Sequence, residues 1–163
     1  MAKKLELFIN GKFIKSETED WLEVLDPSTQ EVLCEVPFAT ENEINLAVES
    51  AKDGFLEWRN TPPPERSRVM MRYQELLKKN QEEIAKILSK ENGKTLEDAK
   101  GDVWRGIEVV EQAANITPLL MGETVENVAS EIDSYSYIQS LGVCAGITPV
   151  SYTHLTLPTT PYV

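Results

Sequence analysis

Short apolar runs separated by turn residues open the chain, a pattern typical of strands joined by tight loops. Leu7–Ile9 is followed by Asn10 and Gly11, and then by Lys12-Phe13-Ile14. Asn-Gly accepts the positive φ angles of a type I′ turn, so this segment predicts a β-hairpin.

A second pair of strands is predicted at residues 22–25 and 32–36. The loop between them contains Asp and Pro, which favour turns because Pro restricts φ and Asp bonds the local backbone. Alternate residues of the second strand share one face, which we expect to be buried: Val32, Cys34 and Val36.

Four segments with apolar residues at i, i+3 and i+4 then predict amphipathic helices. Their start and stop signals are the capping box Thr40–Glu43 with an end near Trp58, a start after Pro62-Pro63-Pro64, a cap at Asn80 with a left-handed stop at Asn92-Gly93, and a cap at Thr95 with an end before Pro118. In the second helix we expect a buried face made of Val69, Tyr73, Leu76 and Leu77.

Strand patterns return near the end of the chain. Residues 132–139 alternate in part, and the apolar run 141–147 is typical of a strand buried on both faces of a parallel sheet. The predicted fold class is therefore α/β, with hairpins, four helices and the start of a parallel sheet.

Composition excludes some classes of function. The chain has 163 residues, a net charge of −11 and 26% charged residues. Nucleic-acid binding is disfavoured because phosphate contacts need a basic face, and no apolar run is long enough to span a membrane. The first residues lack a signal peptide or transit segment, so we expect a cytoplasmic protein, with the mitochondrial matrix as the alternative.

Arg105 is the most informative candidate site residue. It lies between Gly101 and Gly106 inside a predicted helix, where glycine costs about 1 kcal/mol relative to alanine. Two glycines there indicate close packing or access for another molecule, and an arginine could hold a carboxylate. The alternative is a surface ion pair with Asp102 or Glu108 at helical spacing.

Other candidates are weaker. Cys34 and Cys144 lie in apolar strands without a neighbouring basic residue, so we expect inert core packing rather than reactive thiols. Their separation fits neither a metal site nor a disulfide framework, and no metal is expected. The only histidine, His154, lies in a segment at residues 151–163 that has no charged side chains.

Several segments together resemble the N-terminal third of the NAD-dependent aldehyde dehydrogenases. They are Leu7-Phe-Ile-Asn-Gly-Lys12, Asp26-Pro-Ser-Thr-Gln-Glu-Val32, Glu91-Asn-Gly-Lys-Thr95, Gly101-Asp-Val-Trp-Arg-Gly106 and Gly142-Val-Cys-Ala-Gly-Ile-Thr-Pro149. Within that superfamily, the arginine segment, Met121-Gly-Glu and Tyr135-Ser-Tyr137 look most like the CoA-acylating methylmalonate-semialdehyde dehydrogenase branch.

The resemblance implies a truncated aldehyde dehydrogenase fold whose Rossmann-type cofactor domain is only begun. It implies a cysteine thiolate that attacks the aldehyde, NAD as hydride acceptor and CoA as co-substrate. Methylmalonate or malonate semialdehyde would become propionyl-CoA or acetyl-CoA with loss of CO2, as in valine breakdown. Arg105 matches the arginine that binds the substrate carboxylate, and Thr148 matches a position against NAD.

The chain departs from the family pattern after Pro149. Val150 and Ser151 stand where the family has Phe and an oxyanion-binding Asn, and the nucleophilic cysteine lies beyond the chain. We expect residues 1–149 to be the N-terminal part of the NAD-binding domain, residues 150–163 to be a non-native tail, and the 163-residue chain itself to be inactive.

The full-length enzyme is expected to be a homo-oligomer that acts on a small semialdehyde. Two alternatives remain open. One is a non-catalytic short protein that binds a dehydrogenase oligomer through an exposed strand edge. The other is a fragment of another semialdehyde dehydrogenase.

Overall fold

The computed structural model of the chain describes residues 3–146. In that part of the chain the strands are β1 Lys3–Lys4, β2 Leu7–Ile9, β3 Lys12–Ile14, β4 Trp21–Leu25, β5 Val32–Pro37, β6 Thr124–Ala129 and β7 Ile132–Tyr135. The helices are α1 Glu41–Trp58, α2 Pro63–Lys79, α3 Gln81–Asn92 and α4 Leu96–Ala114, followed by a 3-10 turn at Thr117–Leu120. The predicted α/β class and the four predicted helices are confirmed.

The described strands form three small sheets. In the first, β5 lies between β1, which is parallel to it, and β4, which is antiparallel. Strands β2 and β3 form the predicted hairpin, and both turn residues, Asn10 (φ 51°) and Gly11 (φ 70°), have the positive φ angles of a type I′ turn. The third sheet is the hairpin of β6 and β7.

The loop between β4 and β5 forms as the Asp-Pro sequence predicts. The backbone N–H groups of Ser28 and Thr29 donate to Asp26 Oδ1 at 2.8 and 3.3 Å. The expected burial of the β5 face is wrong for Val32, which is 39% exposed, whereas Cys34 is half-buried. Val32 is the first residue of β5, and the residues that follow it in the strand are half-buried.

The capping box that was predicted for α1 is present. Glu43 N donates to Thr40 Oγ1 at 3.3 Å, and Thr40 N donates to Glu43 Oε2 at 2.7 Å. Each bond satisfies a donor that has no partner within the helix or its flank. The start of α1 is therefore determined by residues within four positions of each other.

Asn80 occupies the predicted N-cap position of α3, but the side-chain cap expected there is not formed. Asn80 is also the last residue before α3 and directly follows α2, and its Nδ2 donates back to the Leu76 carbonyl oxygen at 2.7 Å. The Asn80 side chain therefore adds a second donor to the Leu76 carbonyl oxygen, which also accepts from the Asn80 backbone N–H at 3.1 Å. The other end of α3 is as predicted, since Gly93 has φ 76°.

Gly93 also supports a close contact between two parts of the fold. A Cβ atom at this position would lie 2.6 Å from Cγ of Pro27 in the β4–β5 loop. Glycine is thus required there both by the left-handed backbone and by the approach of Pro27.

Helix α4 buries the face that its sequence predicts. Ala99, Ile107 and Ala114 are buried, and Ile107 is only 1% exposed. Thr95 caps the helix by accepting from the Asp98 N–H at 3.2 Å, as expected. This face packs against α2 and α3, so the helices form one layer with α4 at its centre.

The predicted buried face of α2 is wrong in three of its four positions. Val69, Tyr73 and Leu76 are 36%, 49% and 57% exposed. The inward face instead contains Ser67, which is buried, and Gln74, whose Nε2 donates to Glu111 Oε2 on α4 at 2.6 Å. Residues 69, 73 and 76 lie on another face of the helix, so packing against α4 cannot bury them.

The end of the described chain differs most from expectation. Strand β6 was not predicted, and β7 stops at Tyr135 rather than Gln139. The buried strand predicted at 141–147 is wrong over residues 141–146, which have no regular structure, with Leu141 96% exposed. An apolar strand needs flanking strands to satisfy its backbone, and no described strand lies beside this segment. Residue 147 lies outside the described residues.

Candidate functional site

Arg105 projects from the outer side of α4 near its middle. Its Nη1 donates to Asp102 Oδ1 at 3.0 Å, which is one of the two surface ion pairs considered from the sequence. Glu108, the other considered partner, accepts instead from Trp104 Nε1 at 3.1 Å. The Arg105 side chain is 57% exposed, so more than half of it is accessible to solvent.

Asp102 is shared between two cations. Its second oxygen, Oδ2, accepts from Lys94 Nζ. The side chains of Lys94 and Asp102 are only 5% and 13% exposed, so their ion pair is largely removed from water. A buried charge without a partner is costly, and this pairing therefore fixes the position of the carboxylate.

The two glycines of the arginine segment leave open space around Arg105. A Cβ on Gly101 would lie 4.0 Å from Arg105 Nη1, and a Cβ on Gly106 would meet no atom within 4 Å in the described part of the chain. Close packing of these glycines is therefore not observed among residues 3–146. Of the two explanations offered by the sequence, access to the arginine is the one that this geometry favours.

This arrangement can bind an anion through one arginine. A guanidinium has five N–H donors in a planar fork, and one contact to Asp102 leaves the other donors for a carboxylate. A carboxylate can accept two parallel hydrogen bonds from such a group, which adds geometric selectivity to charge attraction.

The cysteines do not contribute a reactive centre to the described structure. Cys34 is half-buried in β5, and Cys144 is exposed, so the expected core packing of Cys144 is wrong. The segment 141–146 around Cys144 has no strand partner, which explains its exposure. In residues 3–146 no group of three or more His, Cys, Asp or Glu side chains could hold a metal ion.

Thr148, the predicted cofactor-binding residue, lies outside the described residues, as do His154 and the rest of the tail predicted at 150–163. Residues 141–146, which lead to Thr148, are mostly exposed and irregular. No described helix combines the length and the apolar character required to cross a bilayer.

Comparison with known proteins decides the family. The model of the aldehyde dehydrogenase family matches residues 13–157. The chain belongs to the aldehyde dehydrogenase family. The resemblance that the motifs predicted is thereby confirmed.

The chain is also similar to individual curated members of the aldehyde dehydrogenase family. A Dictyostelium discoideum protein named methylmalonate-semialdehyde/malonate-semialdehyde dehydrogenase, acylating, is 53% identical over 93% of this chain and 29% of its own length. The human protein of that name is 47% identical over 91% of this chain and 28% of its own length. The chain thus spans less than a third of these relatives. Their names place them in mitochondria, which corresponds to the alternative compartment, whereas the cytoplasmic prediction stays a prediction.

The fold is also that of aldehyde dehydrogenases. A Sinorhizobium meliloti structure, described as a methylmalonate-semialdehyde dehydrogenase complexed with NAD, superposes with a TM-score of 0.88 at 41% identity. The match covers 92% of this chain and 30% of that one. The described elements are therefore the N-terminal part of an aldehyde dehydrogenase fold, as predicted.

The sequence did not reveal the pair of Lys94 and Asp102. Both residues lie in segments that carry the family resemblance, but Gly93-Lys94-Thr95 indicated only a helix stop followed by a cap. The two residues are eight positions apart and on opposite sides of a helix boundary, so no helical spacing rule relates them.

Proposed function

We propose that this chain belongs to an NAD-dependent, CoA-acylating dehydrogenase of methylmalonate and malonate semialdehyde. The overall reaction converts the semialdehyde, CoA and NAD to propionyl-CoA or acetyl-CoA, CO2 and NADH. The observation that carries the proposal is the similarity to acylating enzymes of that name across more than nine tenths of the chain. The exposed side chain of Arg105 is consistent with a substrate that carries a carboxylate.

Arg105 has a defined role in this proposal. Its free N–H donors bind the carboxylate of the semialdehyde, while Asp102 restrains the side chain through Nη1. The open surface at Gly106 gives the substrate access. Thr148 lies against NAD in the proposed enzyme, a role that rests on the family resemblance. The same resemblance implies a nucleophilic cysteine that lies outside residues 1–163.

The test is a comparison of aldehydes with the full-length protein. NADH absorbance is followed with methylmalonate semialdehyde, malonate semialdehyde, succinate semialdehyde, betaine aldehyde and propanal, and the acyl-CoA product is identified by mass spectrometry. We expect CoA-dependent turnover with preference for the first two substrates. Preference for succinate semialdehyde or betaine aldehyde, or no CoA product, would contradict the proposal. We expect no NADH from the 163-residue chain alone.

The Arg105→Ala variant tests the proposed carboxylate contact. Loss of a charge-assisted contact is worth about 1.5–3 kcal/mol, so we expect the KM for methylmalonate semialdehyde to rise by roughly 10- to 100-fold. Propanal has no carboxylate, and its KM should rise much less. Arg72→Ala on α2 is the matched control, because Arg72 is an exposed helical arginine outside the segment that contains Arg105. An unchanged semialdehyde KM in Arg105→Ala refutes the assigned role.

A further inference from the structure

We propose that Lys94 and Asp102 are positioning residues, which set the orientation and the net charge of the carboxylate-binding site at Arg105. The inference rests on the proposed function, because it concerns how Arg105 receives a carboxylate-bearing aldehyde. It starts from the shared carboxylate of Asp102, whose Oδ1 accepts from Arg105 and whose Oδ2 accepts from Lys94.

The division of the two oxygens determines how Arg105 is held. Because Lys94 occupies Oδ2, Arg105 contacts Asp102 through Nη1 at Oδ1 alone rather than through a two-pronged pair. A two-pronged pair with Asp102 would use the same donors that a substrate carboxylate needs. Lys94 thus keeps part of the guanidinium available.

The charges of Lys94, Asp102 and Arg105 also favour binding of an anion at Arg105. Asp102 alone would neutralise Arg105 and weaken its attraction for an anion, whereas Lys94, Asp102 and Arg105 together carry a net charge of about +1. Lys94 and Asp102 are largely buried, so salt and water screen them less than surface charges. The positive charge of Lys94 therefore offsets Asp102 next to the binding group.

The loop around Lys94 holds its backbone in a position from which the side chain reaches Asp102. Lys94 directly follows Gly93, whose left-handed backbone ends α3, and Ser89 Oγ donates to the Lys94 carbonyl oxygen at 2.7 Å. The loop between α3 and α4 thus fixes the backbone of Lys94. A purely structural ion pair would affect stability and all substrates alike, whereas the proposed role distinguishes charged from neutral aldehydes.

The test uses Lys94→Gln in the full-length protein. The negative charge of Asp102 is then no longer offset by Lys94 and acts on Arg105 alone. We expect the KM for methylmalonate semialdehyde to rise about tenfold more than the KM for propanal. The ratio of the two kcat values should stay within about twofold of wild type. The matched control is Lys86→Gln, because Lys86 forms an exposed helical pair with Glu82. This control should change neither KM.

The double variant Lys94→Gln/Asp102→Asn removes both charges together. The net charge at Arg105 is restored, so we expect the semialdehyde KM to return to within about threefold of wild type. This variant buries no unpaired charge and also serves if Lys94→Gln fails to fold. A folded double variant that retains a tenfold increase in semialdehyde KM would overturn the inference.

Equal changes for both aldehydes in Lys94→Gln would also overturn the inference and leave the proposed function intact, provided that Arg105→Ala still raises the semialdehyde KM. If Arg105→Ala has no effect, the proposed role of Arg105 fails, and the inference fails with it. The Arg105→Ala variant therefore distinguishes failure of the inference from failure of the role proposed for Arg105.

Discussion

At the scale of single residues, Glu43 connects the start of α1 to the segment before β4. Its carboxylate accepts from Glu17 N at 2.9 Å, from Ser16 Oγ at 3.0 Å and from both polar groups of Thr40. The backbone N–H of Thr40, followed by that of Glu17, lowers the pKa of Glu43, because both bonds favour the ionised form. Sequence analysis predicted the bonds to Thr40 but not those to Ser16 and Glu17.

Glu43 therefore gives a prediction about acid stability. Its pKa in the folded chain is below the ordinary value of 4.5, so its contribution to stability is present above that pH. The contribution is lost as the pH falls through the lower pKa of the folded state, because protonation removes the acceptor charge. In thermal unfolding followed by far-UV CD, we expect Glu43→Gln to have a lower Tm than wild type at neutral pH. The difference should shrink as the pH falls.

Glu41→Gln is the matched control for this measurement. Glu41 lies in the same first turn of α1 but is exposed. Its Tm should follow the wild-type pH profile closely, since exposed carboxylates contribute little. Parallel pH profiles for wild type and Glu43→Gln would show that Glu43 does not have the assigned role.

At the scale of secondary-structure elements, α4 organises the helical layer. The buried apolar residues of the described chain are mostly alanines, which allow close helix approach, and Ile107 is the largest fully buried side chain. The sequence predicted the inward face of α4 because its apolar residues follow one stripe. It could not predict that of α2, whose apolar residues lie on two faces and whose inward face combines Ser67 and Gln74 with the half-buried Met70 and Leu77.

Ile107→Ala tests the central place of α4. The substitution removes buried methyl groups and leaves a cavity, so we expect a loss of about 2–5 kcal/mol in the free energy of unfolding. Ile107→Val should cost about 0.5–1.5 kcal/mol. Val109→Ala, on the same helix at 64% exposure, should change stability by less than about 0.5 kcal/mol. Urea denaturation measures all three, and similar values for Ile107→Ala and Val109→Ala would contradict this packing.

At the scale of the whole molecule, much apolar surface remains uncovered. A groove of about 460 Å³ lies between the β2–β3 hairpin, α1 and residues 143–145. Phe8, Ile44 and Val143 line it and are 64%, 53% and 43% exposed. Exposed apolar surface of this extent marks a face that is normally covered in a folded protein.

This exposure predicts the behaviour of the chain alone. We expect the 163-residue chain to enhance the fluorescence of the dye ANS strongly, because the dye binds accessible apolar surface. The double variant Phe8→Ser/Ile44→Ser should reduce that enhancement, whereas Lys86→Gln, on an exposed helix face, should leave it unchanged. An enhancement that is equal in the groove variant and wild type would show that the dye does not bind there.

The amino-acid sequence by itself determined the features that depend on neighbouring residues. The type I′ turn at Asn10-Gly11, the capping box of Thr40 and Glu43, and the helix stop at Gly93 each involve residues a few positions apart. Local backbone preferences decide such features before any packing occurs. The family resemblance was also readable, since it depends on the order of short segments.

Only the tertiary structure decided which surfaces meet and which charges pair. The carboxylate of Asp102 joins Lys94 to Arg105, and Glu43 bonds with Ser16 across 27 positions. The expected strand at 141–147 failed over its described part because an apolar run becomes a strand only when other strands supply hydrogen bonds. Burial and ion pairing depend on distances in space, which the order of residues does not specify.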